Sequence, residues 1–254
     1  MLEIVVIGTG NVSYHLCKAI LETENLKLIE LFGRKKNSPK YLIDSISYCS
    51  NLKKIKKADL YILCVSDNAI SKVSNQLNLN QDSIVVHTSG STNMNILSKH
   101  KNHGVIYPLQ TFSKNKKIQF TNIPLIIEAN SKIVLDKLRK VCTILSKKVI
   151  DSNSNQRTLI HISAVFTNNF SNYMNILAKE ILKSNNIDSS ILNPLINETA
   201  NKLNHLSPLD AQTGPAIRKD QITIQKHLNL LKETKYFEIY DKLTKEIIKL
   251  ENEL

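Results

Sequence analysis

Apolar residues in the first part of the chain fall in short continuous runs, at 2–8, 26–33, 59–66, 83–87, 105–107, 123–128 and 148–151. These runs are rich in Ile and Val and are closed by Gly, Asn, Ser or Asp. Such runs, without strict alternation, predict strands buried on both faces. Between them the apolar positions recur at helical spacing, over 12–21, 68–77, 93–99 and 132–146. In the last of these, Ile133, Leu135, Leu138, Val141, Cys142 and Leu145 gather near one face. Strand and helix in alternation imply a mostly parallel sheet covered on both sides. The period changes after the polar stretch Asp151-Ser152-Asn153-Ser154-Asn155, beyond which helices are expected over 157–183, 189–204, 220–234 and 236–252. The first of these is apolar around most of its girth, through Leu159, Ile162, Val165, Phe166, Phe170, Ile176, Leu177 and Leu182. That pattern suits a bundle centre or a subunit interface. The expected fold is therefore an α/β, doubly wound, Rossmann-like sheet over residues 1–152, followed by an all-α domain over 153–254 for substrate binding and dimerisation.

The first strand runs straight into Gly8-Thr9-Gly10-Asn11-Val12-Ser13 and then a helix. Two residues without side chains let backbone N–H groups approach a nucleotide pyrophosphate at the positive end of that helix. Gly8, Thr9, Gly10, Asn11 and Val12 are accordingly candidate cofactor-binding residues. The third small position of the Gly-x-Gly-x-x-Gly pattern is Ser13, which still permits fairly close packing of helix on strand.

Three further strand ends should border the same crevice. The second strand ends at Phe32-Gly33-Arg34-Lys35-Lys36, where an arginine suits a ribose 2′-phosphate and an acid would suit a 2′-hydroxyl. Gly33 and Arg34 thus favour NADP(H); the competing acid, Glu30, lies inside the strand pattern. In Cys64-Val65-Ser66-Asp67-Asn68, Val65 and Ser66 are placed to line the cofactor while Asp67 and Asn68 cap a helix. In His87-Thr88-Ser89-Gly90-Ser91, Ser89 is a candidate contact to the nicotinamide, and His87 divides evenly between crevice and core. No Gly-x-Ser-x-Gly elbow is present, which argues against hydrolase chemistry.

Composition narrows the classes. The chain has 254 residues and a formal net charge of +12, yet its lysines are dispersed and form no arginine-rich or aromatic-interleaved stripe. A nucleic-acid partner is not expected; the charge suits an acidic small molecule. Cys17, Cys49, Cys64 and Cys142 are scattered without a Cys-x-x-Cys pair, as in reduced cytoplasmic proteins. No apolar run is long enough for a membrane span or a signal-peptide core, and a cytoplasmic location is expected. His100 and His103, beside lysines, read as a solvated loop, and no metal site is expected.

The combination Gly8-x-Gly10-Asn11-Val12, Gly33-Arg34, His87-x-Ser89-Gly90-Ser91, Tyr107-Pro108-Leu109-Gln110-Thr111-Phe112, His161-x-x-Ala164-Val165-Phe166-x-x-Asn169 and Thr213-Gly214-Pro215-x-x-Arg218-x-Asp220 resembles one bacterial family. Its members join a Rossmann-like domain to a C-terminal helical domain of unknown function and are regarded as NADP-dependent oxidoreductases. In architecture they are similar to pyrroline-5-carboxylate reductase, to deazaflavin-dependent NADP oxidoreductase and to hydroxyacid dehydrogenases built of a Rossmann and a helical domain. Where the family usually has His-Pro-Leu-Gln-Thr-Phe, this chain has Tyr107. A tyrosine normally titrates near ~10 and acts mainly as a neutral hydrogen-bond donor, so no catalytic part is expected of it. The early lysine of the hydroxyacid dehydrogenases is also missing from the long helix, which disfavours that chemistry.

The long helix offers His161 and Asn169. Eight residues apart, they differ by ~80° around an α-helix and can face one crevice; Asn168 lies more directly above His161, but the resemblance points to Asn169. Histidine exchanges protons near neutral pH, and an amide can orient a carbonyl or imine. A buried histidine bonded to neighbouring backbone is the plainer alternative for His161. Arg218, in the glycine-proline turn, is a candidate clamp for an anionic substrate group. These residues imply an NADP(H)-dependent reductase of a small carbonyl or imine, active as a homodimer through its helical domain. The rival reading is an NADP(H)-binding sensor without turnover.

Overall fold

The computed structural model describes residues 1–42 and 45–250. The chain forms two compact units, Met1–Asn169 and Phe170–Leu254.

In the first unit, eight strands form one sheet: β1 (Leu2–Ile7), β2 (Leu26–Phe32), β3 (Ser47–Cys49), β4 (Leu60–Leu63), β5 (Ile84–His87), β6 (Asn102–Pro108), β7 (Leu125–Ala129) and β8 (Val149–Asp151). Their order is β3-β2-β1-β4-β5-β6-β7-β8. The first six run parallel to one another; β7 is antiparallel to β6, and β8 is parallel to β7. Helices α1 (Asn11–Leu21), α2 (Asp67–Gln76), α3 (Lys132–Leu145) and α4 (Ser154–Ala164) complete the unit. Alternation along the strands sorts the core into two layers: Ile4, Val6, Leu60 and Ile62 with α1 and α3, and Val5, Ile7, Tyr61 and Leu63 with Ile70 and Leu77. This is the doubly wound architecture that strand–helix alternation predicts.

Several details differ from the sequence expectations. The strand β3 was not foreseen, because three half-buried residues make no apolar run. The helix expected over 93–99 is a single tight turn, Met94–Leu97. Asp67 opens α2, so the capping position falls to Ser66. His100 and His103 are not solvated: both are buried, with His100 Nε2 3.0 Å from Ser74 Oγ and His103 Nδ1 donating to the His100 carbonyl at 2.7 Å. The lysines around them are exposed, and polar neighbours conceal a packed pair.

The long helix is interrupted. After α4 the backbone widens into a π-helical stretch, Val165–Phe170, before α5 (Ser171–Ser184). The sheet ends at Asp151 and helix begins at Ser154, where the periodicity changes, whereas the compact units divide later, at Asn169. The second unit holds α5, α6 (Asn193–Lys202), α7 (Gln221–Leu231) and α8 (Phe237–Leu250). The last two residues of the helix expected over 236–252 lie outside the described residues. Its apolar core is thin: among the described residues Leu177, Ala216 and Ile224 are buried, while Ile176, Leu195, Leu206, Ile222 and Leu230 are exposed.

Candidate active site and dinucleotide cradle

The chain order reverses direction across the sheet between β1 and β4, and at the carboxyl ends of these strands lies the glycine turn. Gly8 has φ +124°, and a Cβ there would stand 2.2 Å from the Cys64 carbonyl oxygen; only glycine fits. Ser13, fully buried, takes the place of the third glycine by donating its hydroxyl to the Gly8 carbonyl at 2.6 Å. The N-cap position of α1, Gly10, offers no side-chain bond, the first turn carries no acid, and a Cβ on Gly10 would meet nothing within 4 Å. Open amide donors beside empty space at a helix N-terminus fit a pyrophosphate.

Beside this turn, Gly33 is buried against Tyr48 and Thr9; a Cβ would come within 2.4 Å of the Tyr48 hydroxyl and 2.7 Å of Thr9 Cγ2. Tyr48 donates to the Lys35 carbonyl at 2.7 Å, holding the Arg34–Lys35 loop, in which Arg34 is exposed. Glu30 is buried inside β2, where its carboxylate accepts from Ser47 Oγ at 3.1 Å and from the Lys56 amide at 2.8 Å. The acid that would favour a 2′-hydroxyl is thus occupied in tying β3 and the next loop to β2, and a cation remains at the strand tip. Val65 and Ser66 lie at the end of β4, with Val65 Cγ1 3.4 Å from the Cβ position of Gly8.

Ser89 is buried, and its hydroxyl closes its own turn, accepting from the Thr92 amide at 3.0 Å and donating to Thr92 Oγ1 at 2.9 Å. His87 is fully buried, its Nδ1 accepting from the Ser89 amide at 3.2 Å. Burial, aided by the nearby Arg157 guanidinium, lowers its pKa to about 4. His87 belongs to the core reading, as a neutral ring.

A second group of residues meets where β6 reaches the carboxyl edge. The Tyr107 hydroxyl lies 3.1 Å from His161 Nδ1, with the rings edge-on and their centroids 5.8 Å apart. Burial raises the Tyr107 pKa, so the phenol stays protonated. Gly90 makes room for both rings: a Cβ would fall 2.7 Å from His161 Nδ1 and 2.8 Å from Tyr107 Cζ. Tyr107 and His161 line a groove of about 580 Å³ with Gln110, Thr111, Ala164, Asn168 and Asn169.

The height of His161 is set from below by a residue that no motif or periodicity singles out. Arg157 is fully buried and pairs with Glu128 of β7; its other guanidinium nitrogen reaches the Thr92 carbonyl. Ser154 donates to Glu128 at 3.0 Å and accepts from the Met94 amide at 3.2 Å. Tyr107 is paired with Ile126, two residues before Glu128 on the same strand face, a rise of ~7 Å. One helical turn from Arg157 to His161 rises ~6 Å. Strand and helix therefore climb together, and His161 arrives level with Tyr107. Beyond Ala164 the helix passes into the π-helical stretch Val165–Phe170. Asn169 and Asn168 both reach the groove, 3.5 Å apart between their amide groups.

Arg218 lies in the second unit, exposed, in the turn before α7. Asp220 caps α7, accepting from the Thr223 amide at 3.1 Å and hydroxyl at 2.7 Å, bonds that hold its carboxyl below the ordinary range.

A glycine cradle at the sheet's switch point, an exposed arginine just beyond β2 and a groove at the carboxyl edge of β6 mark a dinucleotide-dependent oxidoreductase fold with a helical C-terminal domain. Residues 3–90 match the family described as NADP oxidoreductase, coenzyme F420-dependent, and residues 123–247 match a domain of unknown function, DUF2520. A solved structure from Bacteroides fragilis, described as that of a candidate NADP oxidoreductase, is 36% identical, covers 98% of each chain and superposes with a TM-score of 0.89. The chain belongs to this family of NADP oxidoreductases with a DUF2520 C-terminal domain. Similar in fold are 1-pyrroline-5-carboxylate reductase from Streptococcus pyogenes (14% identity, 100% of this chain and 99% of that one, TM-score 0.64) and an imine reductase from Myxococcus stipitatus in complex with NADP+ (16%, 96% and 92%, TM-score 0.65). Comparison with curated proteins gave no match.

Proposed function

We propose that the protein is an NADPH-dependent reductase of a small carbonyl or imine, in which residues 1–152 hold the cofactor and residues 153–254 complete the substrate site and join two copies. The observation that carries this reading is the Tyr107–His161 hydrogen bond at a groove that Asn168 and Asn169 also line. The similar folds named for pyrroline-5-carboxylate and imine reduction support the substrate class.

Gly8, Thr9, Gly10, Asn11 and Val12 would hold the pyrophosphate, Gly33 and Arg34 the phosphorylated ribose, and Val65, Ser66 and the Ser89 turn the remainder of NADP(H). When bound, that cofactor supplies a hydride to the electrophilic carbon of the substrate. The chain's own part is the proton. His161 delivers it to the carbonyl oxygen or imine nitrogen as that atom gains charge. Tyr107 serves His161 in both protonation states, because a hydroxyl can donate to a neutral ring nitrogen or accept from an imidazolium. With Nδ1 engaged, Nε2 is the atom left for substrate. Asn169 orients the reacting group through its amide, and Arg218 anchors an anionic substituent through its forked donors.

A helical unit in which, among the described residues, three apolar side chains are buried and many are exposed cannot hide its surface alone. This supports a homodimer through the helical domain, for which light scattering should give twice the chain mass. No described helix is long and apolar enough to cross a membrane; together with four free thiols this supports a cytoplasmic location. The test of function is NADPH oxidation across a panel of cyclic imines, 2-oxo acids and aldehydes. Turnover of at least one, lost in His161→Ala, is expected. Tight NADPH binding with no turnover on any would favour the sensor.

A further inference from the structure

The loop between β6 and β7 is tied down on the glycine turn at one corner. Asn11 Nδ2 donates to the Phe112 carbonyl at 2.9 Å, His15 Nε2 to the Ser113 carbonyl at 2.9 Å, and Lys114 Nζ to the Thr9 carbonyl at 2.9 Å. The Lys114 ammonium also stands 5.3 Å from the centre of the Tyr41 ring, a cation–π distance. The Thr9 carbonyl therefore holds this cation against the turn, with the Tyr41 ring beside it, although 105 residues separate Lys114 from Thr9 in sequence.

We propose that Lys114 is a pyrophosphate-binding residue, carried to the glycine turn by the Phe112–Lys114 strap. The inference rests on the reading of that turn as the NADP(H) site. The turn supplies backbone donors and the partial positive charge of a helix end; two phosphates bring two full negative charges, and no side chain of the turn itself is cationic. An ammonium has three donors, of which the Thr9 carbonyl takes one. The strap delivers the missing charge at the residue between the two glycines, next to the space left open at Gly10. The assignment differs in kind from that of Arg34. A pyrophosphate is common to NADH and NADPH, whereas the 2′-phosphate belongs to NADPH alone.

The experiment is calorimetric titration of the full chain with NADPH and with NADH, at low and high salt. Lys114→Ala should weaken both cofactors alike, by on the order of tenfold or more, the usual scale for a hydrogen bond between charged groups. Part of that loss should vanish at high salt, where charge pairs are screened. Lys114→Arg should recover most of the affinity. Lys116→Ala, which removes an exposed charge from the same loop, should leave it unchanged. The strap's other two bonds end on backbone carbonyls, so the variant keeps its fold, which an unchanged thermal midpoint verifies. Unaltered binding in Lys114→Ala overturns the proposal. So does a loss confined to NADPH, or an equal loss in Lys116→Ala. If the unmodified protein took up neither cofactor, the reading of the turn itself would fall.

Discussion

Gly90→Ala adds one methyl group at the point where the two rings of the site meet. Gly90 is not among the residues with positive φ, so alanine is acceptable to the backbone and the effect is steric. The new Cβ would lie 2.7 Å from His161 Nδ1, 2.9 Å from His161 Cγ and 2.8 Å from Tyr107 Cζ. Unstrained contacts between such atoms need ~3.5–4.0 Å, so each ring must retreat by roughly 1 Å. Tyr107 Cζ is the far end of its ring and can swing aside. His161 Cγ is the root of its ring, and α4 is pinned one turn below by the Arg157–Glu128 pair. His161 must therefore turn about χ1, which breaks the bond to Tyr107. Overpacking costs ~1–3 kcal/mol; with a groove beside both rings to relax into, a loss of ~1–2 kcal/mol is expected. Equilibrium urea unfolding of the two single variants and of Gly90→Ala/His161→Ala measures it. In the His161→Ala background the penalty should fall by at least ~0.5 kcal/mol, the signature of residues in contact. Strictly additive costs would refute the packing argument.

Arg34→Ala should weaken NADPH binding by ~1.5–3 kcal/mol, the scale of a charged hydrogen bond, and hardly touch NADH; equal affinity of the unmodified protein for both would contradict the assignment. If the substrate panel yields turnover, His161→Ala should lower kcat by ~10²–10⁴-fold with NADPH affinity retained, while Arg218→Ala should act mainly on KM if it binds substrate and transition state alike. An unchanged kcat would return His161 to a packing role. His87, with its folded pKa near 4 against 6.5 when free, takes up a proton more readily unfolded. Its contribution to stability is thus full above pH 6.5 and lost as pH falls from there towards 4. In His87→Gln the fall in urea midpoint from neutral pH to about pH 5 should be shallower than in the parent; an equal fall would exclude this source.

The strands of the parallel sheet were legible because burial on both faces turns them into plain apolar runs, as in Ile4–Val5–Val6–Ile7. The glycine turn was legible because Gly8 answers a demand of backbone geometry. What escaped notice depended on pairings distant in sequence. Tyr107 and His161 are 54 residues apart, and nothing local to either announces the other. Nothing local to Arg157 points to Glu128, 29 residues earlier, with which it pairs. The π-helical stretch likewise has no compositional mark. Periodicity places Asn168 over His161 and the resemblance points to Asn169; both line the groove.

The reversed strand β7 has a consequence for traffic through the molecule. Because β7 and β8 run down the sheet, the chain leaves it at the side remote from the cradle, and α4 has to climb back. A parallel β7 would have released the chain at the top, where it could leave without passing the crevice. By descending first, the polypeptide presents its helix to the groove in ascending order: the Arg157 anchor, then His161, then the asparagines. A single change of strand direction thus makes the helix that follows the sheet one wall of the groove.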